Sequence, residues 1–243
     1  MRIAGQKQAN TPDIKSKAQV IRAEAGVEFL GLAVERLDYT KGILERVRAV
    51  ELFLQENPNY QGRFTLLQIA APSRTGIDQY RKYREQVERE IHRVNDRFGN
   101  EVWKPIQCRY ETVPRENLSA YYQAADLMCI LPLRDGMNLV TKEYVASCLE
   151  CNGAILLSNK AGVAEEFGDY VLLVNPFDTK AVAKALKQGL ELDPVTRATK
   201  MAQLREKVGH QDLNWWLQRH LDEIGAFLLE DRTDSGTHIA CHS

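Results

Sequence analysis

Leu133-Arg134-Asp135-Gly136-Met137-Asn138-Leu139-Val140-Thr141-Lys142-Glu143 is the stretch on which the fold of this chain turns. The aliphatic run 127–131 leads into it and a helical segment leaves it, so the backbone passes from a strand through a short loop into a helix. The peptide amides of Asn138, Leu139 and Val140 then fall at a helix N-terminus, where the first N–H groups have no intrahelical acceptor and the dipole is positive. Such a place holds a phosphate. Asp135 before those amides and Glu143 about one turn in supply acceptors for hydroxyl groups. Phosphate flanked by hydroxyls describes a nucleotide sugar.

Outward from this loop, short aliphatic runs at 28–34, 64–70, 106–110, 127–131, 154–158 and 170–174 read as strands. The segments between them have helical spacing. Ile43, Val47, Val50 and Leu54 step by four, three and four, and Leu118, Tyr121 and Ala125 by three and four. The highly charged stretch 78–98 carries Tyr80, Tyr83, Val87, Ile91 and Val94 as one apolar stripe. Strand–helix alternation predicts an α/β domain, a Rossmann-like doubly wound parallel sheet with ligands at the carboxyl ends of its strands. After the last strand, 180–190, 196–208 and 213–229 read as C-terminal helices. The expected layout is a mobile N-terminal segment (1–25), one nucleotide-sugar-binding domain (26–230) and a disordered tail (231–243).

The 243 residues are 44% hydrophobic, with 32 basic and 33 acidic side chains for a net charge of -1. Near-neutrality removes the field that nucleic-acid or anionic-membrane binding needs, while a small anion held locally remains possible. The apolar runs are strand-length and the first residues lack an apolar signal core, so a cytoplasmic location is expected. The five cysteines predict reduced, buried thiols, and Cys148 and Cys151 form a CxxC without a second CxxC or paired histidines.

A second loop follows the first strand: Val34-Glu35-Arg36-Leu37-Asp38-Tyr39-Thr40-Lys41-Gly42. Arg36 and Lys41 flank a short turn, so a planar fork and a point charge can converge on a diphosphate. Alternatively, both solvate the loop and pair with Glu35 and Asp38. The chain has no GxGxxG and no GxxxxGK[ST], which argues against dinucleotide oxidoreductases and P-loop enzymes. It also has no Asp-x-Asp and no metal-ligand spacing, so the expected site needs no cofactor and meets phosphate charge with Arg, Lys and amides rather than a metal. A hydrolase triad lacks both its GxSxG elbow and a histidine near a strand end.

These two loops, with Gln68-Ile69-Ala70 and Pro72-Ser73-Arg74 between them, resemble the trehalose-6-phosphate synthase family of retaining glycosyltransferases. Arg97-Phe98-Gly99, Trp103-Lys104-Pro105, Val174-Asn175-Pro176-Phe177-Asp178 and Asp212-Leu213-Asn214-Trp215-Trp216 extend the resemblance over roughly 27–228. It implies the C-terminal, donor-binding half of a two-domain GT-B fold, transferring glucose from UDP-glucose to glucose-6-phosphate with retention. By position, Arg36 and Lys41 would bind the donor diphosphate and the amides of Leu139 and Val140 its phosphate. The backbone near Val113 would meet the uracil and Glu143 the ribose, with Arg115 near the nucleoside. Asp135 would hold the hydroxyls of the transferred glucose, with Gly136, Met137 and Asn138 after it also binding the donor, and Arg74 would take the acceptor phosphate.

Arg36, Lys41 and Asp135 are the implied catalytic groups. The implied partner is a missing N-terminal Rossmann-like domain; alone, the chain is expected to be inactive and able to self-associate. A glucosylglycerol-phosphate synthase and a non-catalytic nucleotide-sugar-binding or regulatory module are the alternatives. Read locally, Glu143 complements a helix dipole and Asp135-Gly136 makes a turn. Trp103, Trp215 and Trp216 read as core, and Asp178 as a helix N-cap.

Overall fold

A computed structural model describes residues 11–73, 76–148 and 153–210, and Leu221. In chain order the elements are α1 (Pro12–Ala25), β1 (Phe29–Arg36), a 3-10 turn (Tyr39–Lys41), α2 (Ile43–Glu56), β2 (Phe64–Ala71), α3 (Asp78–Phe98), β3 (Ile106–Arg109) and α4 (Arg115–Ala124). There follow β4 (Leu127–Ile130), α5 (Leu139–Ser147), β5 (Ala154–Ser158), α6 (Ala164–Phe167), β6 (Leu172–Val174), α7 (Thr179–Leu190) and α8 (Pro194–His210). The strands make one sheet of order β3-β2-β1-β4-β5-β6, every pair parallel. This is the expected doubly wound α/β sheet. The chain winds outward from β1 to β3, crosses back to β4 and winds out the other way, so the order reverses between β1 and β4.

Alternating strand side chains fill two cores. Ala33, Phe64, Leu66, Leu127 and Cys129 face α2, α3 and α7, meeting Val47, Phe53, Val87 and Leu186. Leu30, Leu32, Leu67, Ile69, Met128 and Ile130 face the other side, with Ile14 and Ile21 of α1, Tyr122 of α4, Tyr144 of α5 and Met201 of α8. A sheet covered on both faces needs near-continuous aliphatic strands, and β5 is buried at all five positions. The stripe on α3 is buried as expected, and Asp178 caps α7 by accepting from the Ala181 amide at 2.9 Å. Trp103 is core, its Nε1 donating to the Phe64 carbonyl at 3.0 Å.

The helical spacing of Leu118 and Tyr121 falls on α4, where both pack against the core and Ser119, Ala120, Tyr122 and Ala124 are buried between α1 and α5. Two expectations are corrected. Residues 12–25 are helical rather than mobile: Thr11 caps the Ile14 amide, Pro12 opens the helix, and Ile14, Ala18 and Ile21 seat it on the sheet. Cys108 and Cys129 are free thiols, but Cys148 is disulfide-bonded. Arg74, Trp215, Trp216, the helix expected at 213–229 and the expected tail lie outside the described residues. Among the described residues no helix is long and apolar enough to cross a membrane.

Candidate functional site

The two loops singled out by sequence leave the carboxyl ends of β1 and β4, the strands between which the order reverses. They are neighbours only because of that reversal. After β1, Asp38 accepts from the Thr40 amide at 2.9 Å and from its hydroxyl at 2.8 Å, winding residues 39–41 into a 3-10 turn. Gly42 ends the turn at φ +66°, and a Cβ there would lie 2.0 Å from the Leu131 carbonyl oxygen. Only glycine combines that dihedral with that approach to β4. The Leu133 amide donates to the Thr40 carbonyl at 2.7 Å and ties the loops together.

Across this junction the Lys41 ammonium donates to Asp135 at 2.7 Å, with the two side chains 18% and 15% exposed. Asp135 also accepts from the Asn138 side chain at 3.2 Å and, more weakly, the Met137 amide at 3.4 Å. Burial alone would raise the Asp135 carboxyl; the hydrogen bond and charge of Lys41 outweigh it and hold it below the usual carboxylate value. The alternative, in which Arg36 and Lys41 pair locally with Glu35 and Asp38, is not the arrangement found. Lys41 pairs with Asp135, Glu35 with Arg46, and Arg36 stands exposed with no ion pair among the described residues, acting on Asp38 only through its field.

Asn138 is the N-cap of α5, in the left-handed region at φ 68°, where its short amide side chain makes that conformation tolerable. Its Oδ1 accepts from the Thr141 amide at 3.1 Å and hydroxyl at 2.7 Å. The amides of Leu139 and Val140 are left without an acceptor among the described residues. Gly136, Met137 and Leu139 are exposed around them. Glu143, farther along α5, pairs with Arg115 at the start of α4 at 3.3 Å. Val113, just before α4, lines a cavity of about 440 Å³ between α1 and α4, which neither Arg115 nor Glu143 lines. The structure thus brings Arg36, Lys41, Asp135–Val140, Glu143 and Arg115 to one end of the sheet.

Two supports were not read from the sequence. Behind the β4 loop, the turn after β5 is laced to it: Asp135 donates to the Lys160 carbonyl, Gly162 to Asp135 and Val163 to Met137, at 3.0 to 3.2 Å. Buried Ser158 donates to the Pro132 carbonyl at 2.7 Å. A Cβ on Gly162 would lie 2.0 Å from the Gly136 carbonyl oxygen. A glycine just past the strand beside β4 was the available signal. Beneath the β1 loop, Arg46 of α2 is fully buried against Glu35 and Gln68. Burial works against its charge, and the Glu35 carboxylate overcomes that and holds the proton. No signal in a single sequence distinguishes it from a solvated helix arginine.

Chemically, the junction offers exposed or movable cations, free helix amides for phosphate oxygens, and two carboxylates for hydroxyls. Among the described residues no group of His, Cys, Asp and Glu could hold a metal ion. A Rossmann-like sheet with such loops at its switch point defines the class, a doubly wound α/β domain with its candidate site at the carboxyl ends of the strands.

The comparisons with known proteins narrow the class. The chain matches glycosyltransferase family 20 over residues 4–226 and belongs to that family. It is 39% identical over 215 residues to the trehalose-6-phosphate synthase of Mycolicibacterium smegmatis, covering 88% of this chain and 42% of that protein. Among solved structures, an alpha,alpha-trehalose-phosphate synthase (UDP-forming) from Burkholderia xenovorans in complex with glucose-6-phosphate superposes with a TM-score of 0.84 at 31% identity, covering 91% of this chain and 49% of that one. A protein from E. coli, described as trehalose-6-phosphate bound with UDP-2-fluoro glucose, also gives 0.84, at 35% identity over 90% of this chain and 48% of that one. The chain spans less than half the length of these relatives.

Proposed function

We propose that this domain binds UDP-glucose at the β1/β4 junction and, with a facing N-terminal Rossmann-like domain, transfers the glucose to glucose-6-phosphate with retention. The observation that carries the proposal is the Lys41–Asp135 pair at the switch point, joining the loop that follows Arg36 at the end of β1 to the loop that leads into α5, whose Leu139 and Val140 amides have no acceptor among the described residues. The family, and relatives described with UDP-2-fluoro glucose and glucose-6-phosphate, support it.

In this reading Arg36 and Lys41 grip the diphosphate, and the Leu139 and Val140 amides meet its oxygens. Glu143, beside Arg115, takes the ribose hydroxyls, and the backbone near Val113 the uracil. Asp135, with Gly136, Met137 and Asn138, holds the glucose hydroxyls. Because Lys41 and Asp135 are paired before donor arrives, the diphosphate draws the ammonium away and frees the carboxylate for the sugar. Transfer then breaks the bond from the anomeric carbon to the diphosphate. The acceptor hydroxyl oxygen attacks from the same face and its proton passes to the departing phosphate oxygen. The charge growing on UDP is met by preorganised cations and amides, so no metal is needed at the diphosphate. Arg74 would take the acceptor phosphate. The facing domain supplies the rest of the acceptor site and excludes water, which alignment of two reactants requires; the cytoplasm is the proposed location.

Incubating the chain with UDP-glucose and glucose-6-phosphate, alone and mixed with an N-terminal half from a relative, tests this by mass spectrometry. Trehalose-6-phosphate should form only in the mixture. Turnover by the chain alone contradicts the need for a facing domain, and absence of product from a mixture shown to associate contradicts the assigned reaction.

A further inference from the structure

We propose that Arg46 is a positioning residue for Lys41, setting the diphosphate grip from beneath without touching the ligand. The inference rests on the donor-site reading above. Arg46 is the fourth residue of α2, and its side chain is 0% exposed. The guanidinium forks onto both Glu35 oxygens, one of them at 3.2 Å. It donates to Gln68 Oε1 at 2.5 Å, and Gln68 in turn donates to Glu35 at 2.8 Å. The end of β1, the middle of β2 and the first turn of α2 are thereby locked to one planar group.

The same side chain reaches a carbonyl of the site loop, its Nη2 standing 3.4 Å from the Lys41 oxygen, while the bond from the residue 46 amide to the Gly42 oxygen at 3.0 Å is the ordinary helix bond that any residue there would make. The Lys41–Gly42 peptide, from which the Lys41 side chain departs toward Asp135, is set by Arg46 on one side and by Leu131 against Gly42 on the other.

Stability alone does not account for such a group. A buried ion pair recovers little more than its desolvation cost, and well-packed apolar replacements are often as stable. What the pair supplies is placement and charge balance. Glu35 is next in sequence to Arg36 and its side chain is only 9% exposed. Without Arg46 its carboxylate would be an unbalanced negative charge at the mouth of an anion site, competing with the diphosphate for Arg36 and Lys41. A lysine at 46 would keep the charge but could not serve Glu35, Gln68 and the Lys41 carbonyl together.

Calorimetric titration of the full chain with UDP tests the proposal, using Arg46→Lys and the charge-free pair Glu35→Leu with Arg46→Met, each in the native and the Lys41→Ala background. Both changes should weaken UDP binding about tenfold when Lys41 is present and less than about threefold when it is absent, because residues acting through one another are non-additive. A merely structural role would give the same fold-loss in both backgrounds, and that result overturns the inference, as does unchanged affinity in both variants. Should Arg46→Lys fail to fold, the charge-free pair carries the test, since it leaves no buried charge unpaired. If Lys41→Ala by itself leaves UDP affinity unchanged, the donor site is misplaced and the inference falls with it; loss in Lys41→Ala without loss in the Arg46 variants overturns the inference alone.

Discussion

Gly162→Ala should cripple the site from a position that no ligand touches. Gly162 follows β5, and an added Cβ would stand 2.0 Å from the Gly136 carbonyl oxygen, a backbone atom with no flexible end to swing aside. The two segments must part by about 1 Å, since packed interiors do not absorb such an overlap. Three backbone hydrogen bonds, at 3.0 to 3.2 Å, join the same segments: Gly162 to Asp135, Val163 to Met137, and Asp135 to Lys160. At roughly 1 kcal/mol net each, and with partial relaxation, the cost to folding is about 1 to 3 kcal/mol. The larger effect is on binding. Displacing Asp135–Asn138 carries the start of α5 with it, and losing the Leu139 and Val140 amide contacts to a charged phosphate costs about 1.5 to 3 kcal/mol, or roughly 10- to 150-fold in UDP affinity. Gly209→Ala in α8 is the control, because a Cβ there meets nothing within 4 Å and the position is not among the donor-site residues. Urea titration and UDP calorimetry on both variants provide the measurement. A folded Gly162→Ala chain that binds UDP within about twofold of the native chain would refute the idea that the β5 turn holds the site loop in place.

The Lys41–Asp135 pair makes stability depend on acid. Asp135 titrates below its unfolded value, so its contribution is complete above the unfolded carboxylate pKa of about 4 and is lost as pH falls through the depressed folded value. Urea midpoints of the native chain and Asp135→Asn, compared from pH 6 to 3, should converge at the acid end; a constant gap would contradict the linkage. Glu143→Gln should reduce discrimination between UDP and 2′-deoxy-UDP while leaving Arg115 without its partner, and an unchanged preference would remove Glu143 from the ribose site. Burial pushes the Cys129 thiol up to about 12. Iodoacetamide at pH 8 should therefore leave it unmodified in the folded chain and label it in urea, read by peptide mass spectrometry; labelling under native conditions would contradict its place in the β4 core.

Much of the fold was legible because its signals are local. The five-residue stripe of α3 and the aliphatic run of β5 announce which face is buried without knowledge of any other element. Helix α1 was not seen, although Thr11, Pro12 and Asp13 spell a helix start, because Ile14, Ala18 and Ile21 are few among charged neighbours. Their burial becomes evident only once α4 and the sheet are present to cover them. The same division holds at the site. The loops at Arg36–Lys41 and Asp135–Val140 could be found one at a time from strand ends, a glycine and a helix start. That Lys41 meets Asp135, 94 positions away, rather than its neighbours Glu35 and Asp38 follows from strand order alone. Arg46 was the hardest to recognise, since its partners Glu35 and Gln68 come from two strands whose parallel pairing has to be known first.

The central claim, a diphosphate grip built from Arg36, Lys41 and the α5 amides, is tested most directly by titrating UDP into the native chain, Arg36→Ala and Lys41→Ala in a calorimeter with EDTA present. The native chain should bind without added metal, and each substitution should cost about 1.5 to 3 kcal/mol, as expected for charge-assisted hydrogen bonds. Binding that appears only with magnesium or manganese, or an affinity untouched by either substitution, would contradict the account.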